Sequence, residues 1–414
     1  MAGTAPPRIA RPAANAWPSC RLTSGPASTT TAPLSSYSAR SRDACTCHAP
    51  EPSSRAVSPH PTNRRKTVHT APETVVLGTG FAGLTAAVRL AEDGHRLRCH
   101  GDSAIGASQQ NFGQLHSGAV YAPVLPEVAA ACWQHRTRWF SLLGSEVSRS
   151  HGLALFSSHA EVERYTRAWS NLDIPVRPLS TRELDSAGVL PWPAPDAAFA
   201  LPDISVDVTA LRARTQAHAA NLGVPFAPPE SCAPVLSGNE VILWGPSLGY
   251  YRPGTLVLAA GHRTVHLLDL LGIQHPLAIS RLPYGVLEGS NQQHPLTYWL
   301  DGDMLALSPQ PNGLHVALPG RPTDPIDESK EHYRLAASLA ERWPALPAEK
   351  LRLRWGQVAE PAGVQPDPSA LVVDLSSPPP GWGQVANLIV CLPGKWTTAW
   401  HAADQVAQAV ATRI

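Results

Sequence analysis

Long apolar runs are missing from this sequence. No stretch of 18 or more apolar residues occurs among its 414 residues, and its N-terminus has no apolar core flanked by a cleavage site. A membrane span or a secretory signal is therefore not expected. An excess of basic charge is missing from the body of the chain too, since 24 basic and 30 acidic residues follow position 70. A nucleic-acid partner is not expected, because a surface that neutralises phosphates needs clustered Lys and Arg.

Paired cysteines are also missing from the body of the chain. Four cysteines stand singly in apolar segments, namely Cys99, Cys132, Cys232 and Cys391. This pattern is typical of reduced thiols, so we expect a cytoplasmic protein. The run Cys45-Thr46-Cys47-His48 has no second Cys/His pair at a suitable spacing, and no metal site is predicted.

Aromatic residues are scarce at the N-terminus. The first 70 residues contain ten prolines and only Trp17 and Tyr37 as aromatics, too little apolar area to offset the entropy of ordering. Residues 1–72 are therefore predicted to be a disordered tail. The tail is Arg-rich and acid-poor, so either a targeting segment or a misassigned translation start accounts for it.

From Glu73 onward the pattern predicts alternating strands and helices. TVVL (74–77), TLVLAAG (255–261) and ANLIVCLPG (386–394) are typical of short buried parallel strands, and FAGLTAAVRLAED (81–93) of a helix. Strands this far apart in the chain indicate a doubly wound sheet. The segments between residues 275 and 320 alternate between apolar and polar, which predicts a mostly antiparallel second domain inserted into the first.

A glycine fingerprint, Gly78-Thr79-Gly80-Phe81-Ala82-Gly83, joins the first strand to the first helix. In a dinucleotide-binding motif the first glycine permits the tight turn, the second lets the backbone approach a pyrophosphate, and the third allows helix and strand to pack closely. The predicted cofactor contacts in this loop are Gly78, Gly80, Phe81, Ala82 and Gly83. The acidic residue expected to bind the ribose falls on Gly101, so either Asp102 serves after a one-residue shift or the ribose is held by other means.

Together with the fingerprint, GAS (106–108) and NFGQLHSG (111–118) make the chain resemble the flavoprotein superfamily of D-amino-acid oxidase, sarcosine oxidase and glycine oxidase over residues 73–414. The resemblance implies that FAD lies along the first domain and that the segment after the second strand approaches the flavin. TLVLAAG is similar to the second nucleotide-domain strand of that superfamily, which makes Gly261 a further predicted cofactor contact.

Two stretches are similar to narrower groups. NFGQLHSGAVYAP resembles a run of L-2-hydroxyglutarate dehydrogenases, and PGKWTTAW (393–400) a run of flavin-linked glycerol-3-phosphate dehydrogenases. Both groups oxidise a C–OH centre, whereas GAS followed by NFGQ also resembles amine-oxidising members. The preference for a hydroxyl over an amine is therefore slight.

The predicted fold class is α/β, a discontinuous Rossmann-like FAD-binding domain with an inserted, mostly antiparallel α+β substrate domain. The FAD-binding domain is assigned residues 73–150, 201–270 and 351–414. The substrate domain is assigned residues 151–200 and 271–350.

Three residues are the candidates for catalysis. His116 is the side chain suited to accept a proton near neutral pH, but covalent attachment of the flavin and a structural role remain open for it. Tyr121 either closes the substrate pocket or is buried with a local partner. Arg281 ranks first, ahead of Arg321 and Arg354, for binding a substrate carboxylate through its planar fork.

Two further groups are expected to contact FAD. Short polar and glycine residues follow the second strand and suit phosphate or flavin oxygens: Ser108, Gln109, Asn111, Gly113 and Gln114. A strand-to-helix junction near the C-terminus is expected to face the flavin pyrimidine edge, where negative charge collects on reduction; its residues are Gly394, Lys395, Thr397 and Thr398.

The sequence thus predicts an FAD-dependent dehydrogenase or oxidase. It is expected to oxidise a small polar metabolite at a C–H that bears a hydroxyl or an amine, by hydride transfer to flavin N5. Oxygen, a quinone or a protein carrier is expected to take the electrons. The alternative is a flavin-binding or degenerate nucleotide-binding protein without redox turnover.

Overall fold

The computed structural model describes residues 73–101, 106–108, 110–144, 147–188, 191, 193–228, 232–246, 249–289, 294–302, 304–318, 326–363 and 369–413. The predicted disordered tail, Asp102, Gln109 and Arg321 lie outside the described residues.

A six-stranded sheet has the order β17-β18-β11-β1-β2-β7. Its strands are β1 (Thr74–Leu77), β2 (Leu97–His100), β7 (Phe226–Ala227), β11 (Thr255–Leu258), β17 (Leu371–Asp374) and β18 (Leu388–Leu392). All neighbours pair in parallel except β17 and β18. Every residue of β11 and β18, like those of β1, is buried, as expected for a parallel sheet covered on both faces.

A nine-stranded sheet has the path β16-β12-β15-β14-β13-β4-β6-β3, with β5 paired to β6. Its strands are β3 (Gln114–Leu115), β4 (Ser148–Phe156), β5 (Arg177–Pro178), β6 (Ala197–Val206), β12 (Leu277–Leu287), β13 (Leu296–Trp299), β14 (Leu305–Gln310), β15 (Gly313–Ala317) and β16 (Arg352–Pro361). Only β13 and β4 pair in parallel; the other pairs are antiparallel. A small antiparallel sheet contains β8 (Ala233–Ser237), β9 (Glu240–Gly245) and β10 (Gly249–Tyr251).

The described helices are α1 (Phe81–Glu92), α2 (Pro126–His135), α3 (Thr137–Phe140), α4 (His159–Asn171), α5 (Thr181–Ser186), α6 (Val208–Asn221), α7 (Arg263–Leu270), α8 (Glu328–Arg342) and α9 (Ala399–Ala411). Helix α1 packs between α6 and α9 on the parallel sheet. Its first residue, Phe81, stacks on Trp396 with ring centroids 5.1 Å apart. This contact joins the fingerprint to the C-terminal strand-to-helix junction, although 315 positions separate the two rings.

The mixed α/β fold with a parallel sheet agrees with the prediction. The second sheet, however, takes β3, β16 and the end of β6 from segments that the sequence assigned to the FAD-binding domain. The chain therefore passes between the two sheets more often than the predicted domain boundaries imply.

Candidate active site

A cavity of about 1050 Å³ opens where the carboxyl ends of β1, β11 and β18 meet β12 and β16 of the second sheet. Ligands of open parallel sheets bind beyond the carboxyl ends of the strands. The cavity therefore lies where both the fold and the glycine fingerprint predict a dinucleotide.

The fingerprint loop lines this cavity through Gly78, Gly80, Phe81 and Ala82. Gly78 has φ of 121°, and a Cβ there would lie 2.2 Å from the Ala259 carbonyl oxygen. Gly83 does not line the cavity; a Cβ on it would lie 1.9 Å from the Gly78 oxygen, so it allows close packing within the loop. The loop thus has the geometry the motif requires.

The polar residues after β2 have divided roles. Ser108 lines the cavity, and its Oγ accepts a hydrogen bond of 3.1 Å from the Phe81 N–H at the start of α1. Asn111 also lines it, but its Oδ1 accepts from the Gly113 N–H at 2.9 Å in a local turn. Gly113 lies behind the cavity, packed against Gln310. Their contact with FAD stays a prediction.

Gln114 is buried and lines the cavity, and its Nε2 has no hydrogen-bond partner among the described residues. A buried donor without a partner is costly, so a ligand acceptor is expected opposite it.

His116 forms a buried pair with Asp203, which the sequence analysis did not single out. The His116 Nδ1 lies 3.2 Å from Asp203 Oδ2, and the Asp203 side chain is fully buried. Asp203 also accepts from the Ser117 N–H at 2.8 Å, from the Ser117 hydroxyl, and from the Tyr298 hydroxyl at 2.7 Å. Asp203 stands on β6, where Leu201, Asp203 and Ser205 are all buried.

The charges of this pair follow from their surroundings. Burial raises the pKa of Asp203, but the hydrogen bonds from His116 and Ser117 outweigh it and hold the pKa below its usual range. Burial lowers the pKa of His116 more than Asp203 raises it. At neutral pH Asp203 is therefore ionised and His116 neutral, with Nδ1–H donating to the carboxylate and Nε2 carrying the lone pair that can accept a proton.

Tyr121 and Lys395 lie next to the His116–Asp203 pair, and both line the cavity. The Tyr121 hydroxyl lies 3.4 Å from His116 Nε2, and Lys395 Nζ lies 4.7 Å from the centroid of the Tyr121 ring. Burial lowers the pKa of Lys395, but its interaction with Tyr121 raises it overall, so the ammonium stays charged. Lys395 has no carboxylate within ion-pair distance among the described residues. A cation thus lines the cavity next to the His116–Asp203 pair.

The remaining residues of the C-terminal junction have structural partners. Gly394 lines the cavity with φ of 65°. Thr397 Oγ1 accepts from the His116 N–H at 3.2 Å, and Thr398 Oγ donates to the Pro393 carbonyl at 2.7 Å. Neither threonine lines the cavity. Gly261, after β11, does line it, with φ of 58°.

Arg281 does not reach the site, which corrects the sequence-based expectation. Its guanidinium pairs with Glu328 of α8 at 3.1 Å and lies 4.3 Å from the centroid of the Trp355 ring, at the surface. Arg354 is also exposed and pairs with Glu288. Arg281 lies on β12 and Arg354 on β16, but the sequence pattern does not tell which face of these strands meets the cavity.

The fold and this cavity define a dinucleotide-binding α/β enzyme with an acid–base pair beside its cofactor cleft. The family model described as DAO, FAD dependent oxidoreductase, matches residues 73–409, and the chain belongs to this family. It is therefore an FAD-dependent oxidoreductase.

Three solved structures share the fold at low sequence identity. Glycine oxidase from Geobacillus kaustophilus is 16% identical, with 83% of this chain and 95% of that chain covered at a TM-score of 0.60. L-amino acid deaminase from Proteus vulgaris is 13% identical, with 82% and 94% covered at 0.62. L-proline dehydrogenase from P. horikoshii is 15% identical, with 82% and 93% covered at 0.60. No curated protein sequence matches the chain.

The residues present fit FAD. The glycine loop leaves no room for side chains between β1 and α1, and the N-terminal end of α1 carries no acidic residue that would repel a phosphate. The unpaired Gln114 amide and the Lys395 ammonium supply a donor and a cation further along the cavity.

Among the described helices, none is long and apolar enough to cross a membrane.

Proposed function

We propose that this enzyme oxidises a small polar metabolite at a carbon that bears a hydroxyl or an amine. The observation that carries the proposal is the buried Asp203–His116 pair, whose histidine lines the same cavity as the dinucleotide loop. Bound FAD supplies the acceptor for the hydride. The protein must supply the acceptor for the proton on the heteroatom, and the neutral imidazole meets that need.

Asp203 serves His116 in two ways. Its carboxylate fixes the tautomer by accepting from Nδ1–H, and it stabilises the imidazolium that forms once Nε2 has taken the proton. Tyr298 and Ser117 hold the carboxylate in place. The role of His116 is thus proton acceptor, ahead of a structural histidine or a flavin attachment point.

Tyr121 is assigned to control of access to His116, and Lys395 to stabilisation of charge on the flavin. The Tyr121 hydroxyl occupies the acceptor side of His116 Nε2 in this structure, so a substrate must displace or join that contact. Lys395 is assigned to the flavin pyrimidine edge, where its charge favours the reduced cofactor.

A hydroxyl substrate is favoured by the acid–base pair itself. An alcohol proton is too weakly acidic to leave without a base, whereas a neutral amine transfers a hydride without one. The similarity of NFGQLHSGAVYAP and PGKWTTAW to runs from alcohol-oxidising flavoproteins points the same way.

An amine or amino acid is the second candidate. Glycine oxidase, L-amino acid deaminase and L-proline dehydrogenase are all named for amino acids, so the comparisons give no support to the preference for a hydroxyl. Both substrate classes therefore belong in the same test.

The test is anaerobic bleaching of the bound flavin by 2-hydroxy acids, polyol phosphates, amino acids and N-methyl amines. His116→Asn should slow reduction by an active hydroxy compound about 100-fold or more. Reduction by an amine should recover in this variant at high pH, where the amine is already neutral. His159→Asn, an exposed histidine at the start of α4, is the matched control.

Reduction of His116→Asn at the wild-type rate by the active substrate would remove the proposed role. Bleaching by no member of the panel would remove the proposed substrate class. Oxygen consumption compared with dye reduction then distinguishes an oxidase from an enzyme that uses a quinone or protein carrier.

A further inference from the structure

Arg212 of α6 makes a two-point contact with the fingerprint loop. Its Nε donates to the Thr79 carbonyl oxygen at 2.8 Å, and its Nη2 donates to the Thr79 Oγ1 at 3.1 Å. Arg212 also lines the cavity, on the side where β2 ends. In a dinucleotide motif that side holds the adenosine ribose.

The acid that usually stands at the end of β2 has no room in this protein. A Cβ on Gly101 would lie 2.6 Å from both the Oγ1 and the Cγ2 of Thr79, and 2.8 Å from the Thr79 nitrogen. The Thr79 side chain that blocks position 101 is the one that Arg212 holds. The exclusion of a side chain at position 101 and the presence of the guanidinium are therefore parts of one arrangement.

The contact also sets the direction of a backbone donor. In a planar trans peptide the carbonyl and the N–H point in opposite directions. Because the Thr79 carbonyl faces Arg212, the Gly80 N–H of the same peptide unit faces away from it. The Gly80 N–H has no hydrogen-bond acceptor within the described ranges, and Gly80 lines the cavity.

We propose that Arg212 positions the Thr79–Gly80 peptide for the cofactor's pyrophosphate and adds positive charge at the adenosine end, next to position 101, where an acidic side chain has no room. It is a positioning residue: it acts on the phosphates through the loop. The proposal concerns the adenosine half of FAD, and so it stands or falls independently of the substrate.

The test measures binding of ADP and of FAD to the full chain stripped of its flavin, by calorimetry and by quenching of FAD fluorescence. Arg212→Met should raise the Kd for both ligands about tenfold, because a charged donor pair and a cation are lost. Arg214→Met is the matched control, since Arg214 is exposed on the same helix and does not line the cavity. It should change neither Kd by more than about twofold.

Two milder variants keep the proposal testable if Arg212→Met unfolds. Arg212→Lys retains the charge but not the fork, so its Kd for ADP should fall between those of wild type and Arg212→Met. Thr79→Val removes the Oγ1 acceptor while leaving Arg212 in place, and should raise the Kd about threefold. The proposal is overturned if Arg212→Met binds ADP like Arg214→Met, or if both milder variants bind ADP like the wild type.

Discussion

Replacing Asp203 with Asn is expected to slow flavin reduction strongly while leaving the protein folded. Asn has the same shape as Asp, but one oxygen becomes an NH2 group. The oxygen facing Ser117 accepts two hydrogen bonds, so we expect the amide to keep its oxygen there and turn its NH2 toward His116 and Tyr298. Because the new NH2 group donates a hydrogen bond to Nδ1 of His116, Nδ1 must accept, and the imidazole proton must move to Nε2.

The size of both effects follows from this exchange. With Nε2 protonated, His116 can no longer accept the substrate proton, so flavin reduction should slow by about 100-fold or more. For stability, a hydrogen bond to a charged group contributes about 1.5–3 kcal/mol. Asp203 is fully buried, and the NH2 group restores only part of the hydrogen bonding that His116 and Tyr298 have with the carboxylate. The free energy of unfolding should therefore fall by about 3 kcal/mol.

Stopped-flow reduction under anaerobic conditions and urea denaturation measure the two quantities separately. Asp185→Asn, which alters an exposed carboxylate, is the control and should change neither. Tyr298→Phe removes one donor from Asp203 without changing the tautomer of His116, so it should cost stability but slow reduction less than Asp203→Asn. If Asp203→Asn reduces its flavin as fast as Tyr298→Phe does, the tautomer argument is wrong.

Three further outcomes are expected. Gly78→Ala should abolish FAD binding, measured by flavin content after purification, because φ of 121° and the contact with the Ala259 oxygen at 2.2 Å exclude a Cβ. Lys395→Met should lower the flavin potential by about 30 mV or more in a redox titration, since a cation near the reduced flavin is lost, whereas exposed Lys350→Met should not. The rate of flavin reduction at saturating substrate should stay level from pH 7 to 9 and fall only in acid, below about pH 6.5. The reason is that burial lowers the pKa of His116 and only the neutral imidazole accepts a proton. A loss of rate on acidification that is centred above pH 7 would contradict this.

The parts of the site that sequence predicts well depend on local chemistry. Gly78, Gly80 and Gly83 follow a strand and begin a helix. A Cβ on Gly83 would meet the Gly78 oxygen five residues away, and one on Gly78 would meet Ala259 at the end of the adjoining strand. The structure places His116 and Lys395 at the cavity, the first singled out by its side-chain chemistry and the second by its strand-to-helix junction. These inferences need the order of elements, not the three-dimensional arrangement of side chains.

The parts that sequence did not predict depend on long-range packing. Asp203 lies 87 positions from His116, and the pairing of β3 with β6 is what brings them together. The alternation in LPDISVDV gave no signal of it, because Asp203 is in phase with the polar Ser205 and Asp207. Arg281 was misplaced for the converse reason: its partner Glu328 belongs to α8, which no local pattern connects to β12.

The short segment from Gln114 to Ser117 joins the two sheets at the reacting end of the cavity. Gln114 and Leu115 pair with Ser205 and Ile204 of the second sheet, while the His116 N–H binds Thr397, just after the last strand of the first sheet. His116 is therefore held from both sides, by its backbone from the parallel sheet and by its ring from Asp203 on the antiparallel sheet. Because a proton acceptor must keep a fixed distance from both cofactor and substrate, a histidine tied to both sheets suits that task better than one on a free loop.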